Sequence, residues 1–480
     1  MAGGPKGSGK QEQSIRVAVL GAGPGGYPAA FLAAERGLDV TLIDERQSPG
    51  GVCLYEGCIP SKALLHAAEL LHDARGAEAM GLSFGEPRID LDRLRNWKDR
   101  DVVAKMTGGL GQLAKARKVR YVNGRGRFVD ANTLRVAWDG EVTDVAFDYA
   151  IVATGSLPLI PGPLQLQSDR VWDSTVALQL PEVPKRLLVV GGGYIGLEMA
   201  TVYAALGSRV TVVEMTRSLL PGADADLVKV LAASLKERTE EILLETRVVE
   251  LRETKRGIEA ELSGADLEGP REYDRVLIAT GRSPNSGNIG LEAMQVRVDD
   301  RGFIDVDHQR RTGEPSIFAI GDVAGEPMLA HKATHEARVA VEALAGQPAA
   351  WEPAAIPAVV YTDPEIAWCG LTETEATIRR IEVGVTRFPW TASGRATTVG
   401  RPQGVTKLVV EPGTQRILGV AIAGRGAGEL IAEGALAVEM GARLDDLRLT
   451  IHPHPTLSET LMEAAEVFFG ISPHFIAKRR

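Results

Sequence analysis

The sequence predicts an α/β fold in which one strand–turn–helix–strand unit occurs twice and a separate α+β domain closes the chain. Three observations carry this. Residues 16–45 and 186–215 align without a gap at a constant offset of 170. Both begin with an apolar strand that ends in a glycine-rich turn. The last 125 or so residues mix strand patterns with a helical run and contain no copy of that turn.

Size and charge set the frame. A chain of 480 residues with 44% hydrophobic residues is too long for one core and predicts several domains. A net charge of -9 offers no basic face for nucleic acid or an acidic membrane, so neither is expected as a partner. Three cysteines cannot build a secreted disulfide framework, which predicts a reducing, cytoplasmic setting. Val17 to Ala34 is uncharged over 18 residues, yet its four glycines and two prolines break a membrane span or signal helix. The first 14 residues, "MAGGPKGSGKQEQS", predict a flexible tail without the pattern of a targeting signal.

The first unit, "RVAVLGAGPGGYPAAFLAAERGLDVTLIDE", reads as a strand, the turn Gly21-x-Gly23-x-x-Gly26, a helix closed by Gly37, and a second strand ending in Asp44. The second, "RLLVVGGGYIGLEMATVYAALGSRVTVVEM", repeats this with Gly191, Gly193, Gly196, Gly207 and Glu214. This is the Rossmann-like βαβ unit. Its glycines admit a pyrophosphate to the backbone, the helix N-terminus faces the phosphate charge, and the terminal acid accepts from ribose hydroxyls. Two complete copies predict two dinucleotides. A carboxylate at Asp44 and at Glu214 repels a 2′-phosphate, and Arg217 is expected to be a solvated loop residue. Two further strands close in Ala-Thr-Gly, "YAIVATGS" to Gly155 and Ser156 and "RVLIATGR" to Gly281, suited to crossing between domains. A third, "SIFAIGDV", ends in Asp322, which serves equally as a contact to a polyol chain or as a turn acid. Proline clusters at 158–163, 284 and 353–357 suggest boundaries.

"GGVCLYEGCIPSKALLH" follows the first unit and holds Cys53 and Cys58. Five residues of ideal helix separate two positions by about 7.5 Å along the axis, while a disulfide wants Cα atoms within about 6.8 Å. A bridge therefore needs a break, which Gly57 offers. Pro60 suits a first helical turn, so Cys58 is expected near a helix N-terminus, where the dipole favours thiolate. Metal binding lacks a second ligand pair, no metal site is expected, and Cys369 reads as a small buried apolar residue. A redox-active pair is the sharper reading.

With these motifs in place, and with "MLAHKA" and "HPHPTLSE" further on, residues 15–470 resemble the flavin-dependent disulfide reductases of the pyridine-nucleotide class. The resemblance implies an FAD-binding domain over 15–156 and an NAD-binding domain over 157–281. A central domain over 282–352 would complete the FAD site, and an interface domain over 353–480 would make a homodimer. It implies FAD contacts at Gly21, Gly23, Gly26, Asp44, Gly51, Lys62, Gly126, Gly155, Ser156, Asp322 and Ala330. NAD is implied at Gly191, Gly193, Gly196, Glu214 and Gly281. Tyr55 and Glu56 depart from the Asn and Val frequent between the family's cysteines.

The resemblance also implies roles. Cys53 exchanges with the substrate dithiol and Cys58 faces the flavin. His454, between Pro453 and Pro455, moves the proton for the partner's Cys53. Thr456-Leu-Ser-Glu459 matches a capping box, which alone makes Glu459 a helix cap; the resemblance instead pairs it with His454. His452 reads as a turn residue. Lys62 is placed beside the flavin and paired with Glu198. The implied activity is oxidation of protein-bound dihydrolipoyl groups by NAD+, as the E3 component of 2-oxo acid dehydrogenase complexes. The implied partner is a lipoyl-carrying acyltransferase or a glycine-cleavage carrier protein. A reductase for a glutathione-like disulfide would want cations in place of Glu214, and a mercuric reductase a further C-terminal cysteine pair. A non-catalytic docking flavoprotein would not need the Cys, His and Glu set.

Overall fold

The computed structural model describes residues 14–264 and 269–476. The predicted tail over 1–14 lies, apart from Ser14, outside the described residues. The chain divides into two compact units, each assembled from three separate stretches. One takes the chain up to Tyr55, Ala104–Leu157 and Ser283–Trp351; the other takes Glu56–Val103, Pro158–Arg282 and the chain from Glu352 onward.

The first unit is built on a parallel sheet of five strands. Their order is Ile317–Ala319, Tyr149–Val152, Arg16–Leu20, Asp39–Asp44, Arg120–Asn123. Alternate residues of the central strand enter different cores. Val17 and Val19 pack with Ala29, Ala30 and Phe31 of helix Gly26–Glu35 and with Ala337, Ala340 and Val341 of helix Ala330–Leu344. Ala18 and Leu20 face Phe128, Leu134 and Val136 of a three-stranded antiparallel sheet. Burial on both faces explains why this strand is apolar without alternation.

The second unit repeats the plan. Its parallel sheet runs Glu241–Leu243, Arg209–Val213, Arg186–Val190, Arg275–Ile278, Val171–Trp172. Leu187 and Val189 pack with helix Tyr194–Leu206, while Leu188 and Val190 face a second antiparallel three-stranded sheet through Ile258, Ala260 and Tyr273. The stretch after Glu56 contributes Leu64 and Leu65 of helix Cys58–Gly76 to this core. The α+β region after Glu352 is an antiparallel sheet of five strands carrying helices Ala427–Glu439 and Glu459–Phe469, with its own core around Phe388, Trp390 and Leu408. Cys369 is buried there, and burial pushes its thiol up to about 12, as an inert apolar side chain requires.

One charged cluster ties this last region to the second parallel-sheet domain. Lys407 on strand Val405–Val410 is fully buried, with Nζ 2.6 Å from Asp224 and 2.7 Å from Asp226. Asp226 also receives Arg387 Nε at 2.6 Å, and Asp224 accepts the amides of Glu373 and Thr374 at the start of helix Glu373–Arg379. Burial pushes the Asp224 carboxyl up, but hydrogen bonds from Lys407 and Thr374 outweigh it and hold it below the ordinary carboxylate range. Removing the cation leaves buried carboxylates uncompensated. Lys407→Met is therefore expected to lower the unfolding free energy by about 3–5 kcal/mol, read as a fall in the denaturant midpoint.

Candidate functional site

The two glycine turns have one local design. Gly21 and Gly191 adopt φ of 98° and 113°, and a Cβ on either would sit 2.3 or 2.4 Å from the carbonyl oxygen of Ala153 or Ala279. Only glycine fits that approach. The third glycine of each turn lies over the carbonyl of the first: a Cβ on Gly26 or Gly196 would stand 1.7 or 2.1 Å from it. Gly193 and the turn glycines Gly155 and Gly281 face space instead: among the described residues, chain neighbours apart, no atom lies within 3.9 Å of a Cβ placed there.

The strand-end acids close the turns. Asp44 Oδ2 accepts the amide of Ala22 at 2.7 Å and Oδ1 that of Arg46 at 2.9 Å. Glu214 does the same with Gly192 at 2.7 Å and Thr216 at 2.8 Å. Each carboxylate is thus fixed at its strand end with lone pairs to spare. Arg217 is exposed. Gly51, with φ of 57°, presses on Gly23: a Cβ there would meet Gly23 Cα at 2.4 Å. Gly126 packs closely on the strand beside it: a Cβ would stand 2.5 Å from Leu20 Cδ1, so that side chain would have to shift. Asp322 accepts from Ser156 Oγ at 2.5 Å, and Ala330 opens the helix that follows.

The turn that carries Asp322 rests on residues the sequence reading passed over. Gly321 donates its amide to Glu336 at 2.7 Å; Glu336 is fully buried and bridges Lys332 at 3.1 Å and Arg310 at 3.0 Å. The Lys332–Glu336 spacing of four, on a helix with an alanine-rich inner face, was the available signal.

Cys53 is half-buried in helix Gly51–Glu56, and Cys58 is the first residue of helix Cys58–Gly76. The two helices are interrupted at Gly57, with φ -143° and ψ -119°, the break a bridge between these cysteines needs. One turn on, Lys62 Nζ lies 2.8 and 3.0 Å from the oxygens of Glu198. Glu198 is buried and also accepts from Ser61 Oγ at 2.7 Å and from the Tyr361 amide at 3.1 Å, while Lys62 stands 4.7 Å from the Tyr361 ring centre. Neither Ser61 nor Tyr361 carries a sequence signal for this role.

Helix Glu459–Phe469 begins at Glu459 itself with Ser458 as its N-cap, so Thr456 and Glu459 do not form the expected capping box. Glu459 Oε2 accepts the Thr456 amide of the preceding loop at 2.7 Å, and Oε1 meets His454 Nδ1 at 2.9 Å. Burial pushes the carboxyl up, but the Thr456 amide and the His454 hydrogen bond hold it below the ordinary range. An ionised Glu459 makes Nδ1 the donor, so the neutral ring presents Nε2 as a base from a side chain that is 73% exposed. His452 is no simple turn residue; its buried ring joins Glu433 at 2.8 Å and the Thr450 carbonyl at 2.9 Å.

The pyridine nucleotide-disulphide oxidoreductase model matches residues 15–337, and the dimerisation-domain model of that family matches residues 356–465. Dihydrolipoyl dehydrogenase from Vibrio cholerae is 48% identical, covering 96% of this chain and 97% of its own. The enzyme of that name from Haemophilus influenzae is 49% identical, with 96% of each chain covered. Among solved structures, LpdA from Mycobacterium tuberculosis superposes with a TM-score of 0.87 at 28% identity, over 94% of this chain and 99% of that one. The HOCl-induced flavoprotein disulfide reductase RclA from Escherichia coli gives 0.84 at 26%, over 94% and 100%. The chain belongs to the pyridine nucleotide-disulphide oxidoreductase family. FAD and NAD, the cofactors the resemblance implied, are those of this family. The open glycine turns and the amide-held acids fit a dinucleotide at each fingerprint.

Glu365 adds a pH-dependent element beside Lys62. The two residues line a cavity of about 560 Å³ together with His66, His72, Arg238 and Tyr361. Burial pushes the Glu365 carboxyl up to about 7; the Gly428 amide opposes this, and Glu69, Glu429 and Asp363 add to it. Between its ordinary value of 4.5 and about 7, the folded chain keeps a proton that the unfolded chain releases. Stability therefore falls as pH rises through that window. Glu365→Gln is expected to lack this loss, gaining about 1–3 kcal/mol over the wild type between pH 4.5 and 8, read from paired unfolding curves.

Proposed function

We propose that this chain oxidises protein-bound dihydrolipoyl groups with NAD+, as the E3 component of a 2-oxo acid dehydrogenase complex, and that it works as a homodimer. The observation that carries the reading is the His454–Glu459 pair at 2.9 Å, on the same chain as Cys53 and Cys58. Two independent features support it: a carboxylate rather than a cation at Glu214, and relatives named dihydrolipoyl dehydrogenase. Leu436, Met440, Leu449 and Ile451 in the dimerisation domain are large apolar side chains left exposed, which a second copy would cover.

The chemistry follows from the residues. His454 Nε2 takes a proton from one substrate thiol, while Glu459 stabilises the imidazolium. The thiolate attacks Sγ of the partner's Cys53, breaking its bond to the partner's Cys58 and forming a mixed disulfide. The helix N-terminus at Cys58 favours the thiolate released there. The second substrate sulfur, deprotonated in turn, attacks the first and expels Cys53, so one disulfide is made as one is reduced. Gly21, Gly23, Gly26, Asp44, Lys62 and Asp322 would hold FAD, and Gly191, Gly193, Gly196 and Glu214 would hold NAD. FAD would supply the two-electron link between the protein dithiol and NAD+. Lys62, fixed by Glu198, places a cation that favours developing negative charge.

His454→Gln is expected to lower dihydrolipoamide turnover by roughly 10²–10⁴-fold with flavin absorbance retained. Full turnover, or loss of flavin, overturns the assignment. Glu214→Ala should raise the KM for NAD+ about tenfold or more with flavin content unchanged, since hydrogen bonds to a charged acceptor are worth about 1.5–3 kcal/mol. Equal loss of both cofactors contradicts the assignment of the two sites. The wild type should show negligible rates with NADP+ or oxidised glutathione; a preference for oxidised glutathione favours the rival reductase, and flavin without lipoamide-dependent turnover the docking subunit.

A further inference from the structure

The segment between Asp44 and Cys53 is a loop closed at both ends on one residue of the first glycine turn. Asp44 Oδ2 accepts the Ala22 amide at 2.7 Å, and the Gly50 amide donates to the Ala22 carbonyl at 2.8 Å. Gly51 then presses on Gly23 and opens helix Gly51–Glu56, which carries Cys53 and Tyr55. Within the loop Glu45 and Gln47 are exposed, and side chains from elsewhere pin two of its carbonyls. That of Arg46 accepts from Tyr121 Oη at 2.8 Å and from Asn123 Nδ2, both on the strand beside that of Asp44. That of Ser48 accepts from Tyr55 Oη at 3.2 Å. The Tyr55 ring also underlies Arg46, with the guanidinium carbon 5.4 Å from the ring centre, a cation–π distance. Tyr55 thus grips the loop twice, and all of these residues belong to one compact unit. Asparagine, frequent at this position in the family, ends well short of the tyrosine hydroxyl and offers no ring.

We propose that Tyr55 is a positioning residue for FAD: it holds loop 45–50 closed before the cofactor arrives, so that Asp44 and the Gly50–Gly51 step stand ready at the first fingerprint. This rests on the reading that FAD lies at that fingerprint. The reasoning is one of ordering. A loop fixed in advance loses little conformational entropy when a dinucleotide binds, whereas a loose loop weakens binding by the cost of ordering it. A tyrosine that only stabilised the fold would lower the unfolding midpoint and leave the cofactor affinity of the folded protein unchanged. The second fingerprint belongs to the other compact unit, so NAD+ binding is an internal control.

The test dilutes the full-length holoenzyme serially and reads the FAD dissociation constant from the recovery of free-flavin fluorescence, with the KM for NAD+ measured alongside. Tyr55→Phe keeps the ring beneath Arg46 and loses the bond to Ser48; Tyr55→Asn loses both. The FAD dissociation constant should rise roughly threefold in Tyr55→Phe and roughly tenfold in Tyr55→Asn, with the KM for NAD+ unchanged. Wild-type FAD affinity in Tyr55→Asn, or a parallel rise in the KM for NAD+, overturns the proposal. Asp44→Ala separates this from the reading beneath it. Unchanged FAD affinity in Asp44→Ala removes FAD from the first fingerprint, and the proposal falls with it. Weakened affinity there, beside wild-type affinity in Tyr55→Asn, overturns the role of Tyr55 alone.

Discussion

The architecture depends on one repeated constraint, the carboxylate at a strand end captured by amides of the glycine turn beside it. Asp44 and Glu214 each spend one oxygen on the turn and the other on the residue two positions on. This binds the first and second strands of each unit at the point where a dinucleotide must lie. The third glycine, pressed onto the carbonyl of the first, sets how closely the helix starts against the turn. Because these demands are steric and electrostatic at named atoms, two stretches of otherwise different sequence satisfy them with the same residue types at the same spacing.

The acid–base pair shows how one side chain serves stability and chemistry together. Glu459, the first residue of its helix, fastens the preceding loop through the Thr456 amide and orients His454 with its other oxygen, so the ring is aimed by an element that belongs to a packed core. Lys62 is held in a similar way: its partner Glu198 is buried and bound by Ser61 and the Tyr361 amide, so the ammonium is steered by residues far apart in the chain. Each charge that would act on substrate or cofactor is therefore positioned by a neighbour that stays fixed.

Much of this was legible in the sequence, for identifiable reasons. The repeat showed wherever a glycine cannot be replaced or an acid must stand at a strand end, and Gly57 announced the break between the cysteines. The structural repeat runs further than the readable one. Strands Arg120–Asn123 and Glu241–Leu243 are equivalent, as are the two antiparallel three-stranded sheets, yet they need only alternating apolar residues, which many sequences supply. The destination of helix Cys58–Gly76 was hidden as well, since its apolar spacing gives a face to bury but not the core that takes it. The partners of Lys407 and His452, and Arg310 beside Glu336, were invisible because each pairing is made by the fold. His452 looked like a turn residue and is a buried hydrogen-bonded ring.

The central claim is that electrons pass through a reversible bond between Cys53 and Cys58 before they reach a nicotinamide. Anaerobic titration of the purified holoenzyme with dithionite tests it most directly. The account predicts two separate two-electron uptakes per chain, one for the disulfide and one for the flavin, with the first absent in Cys53→Ser. A wild-type protein that takes up only the electrons of its flavin would contradict it.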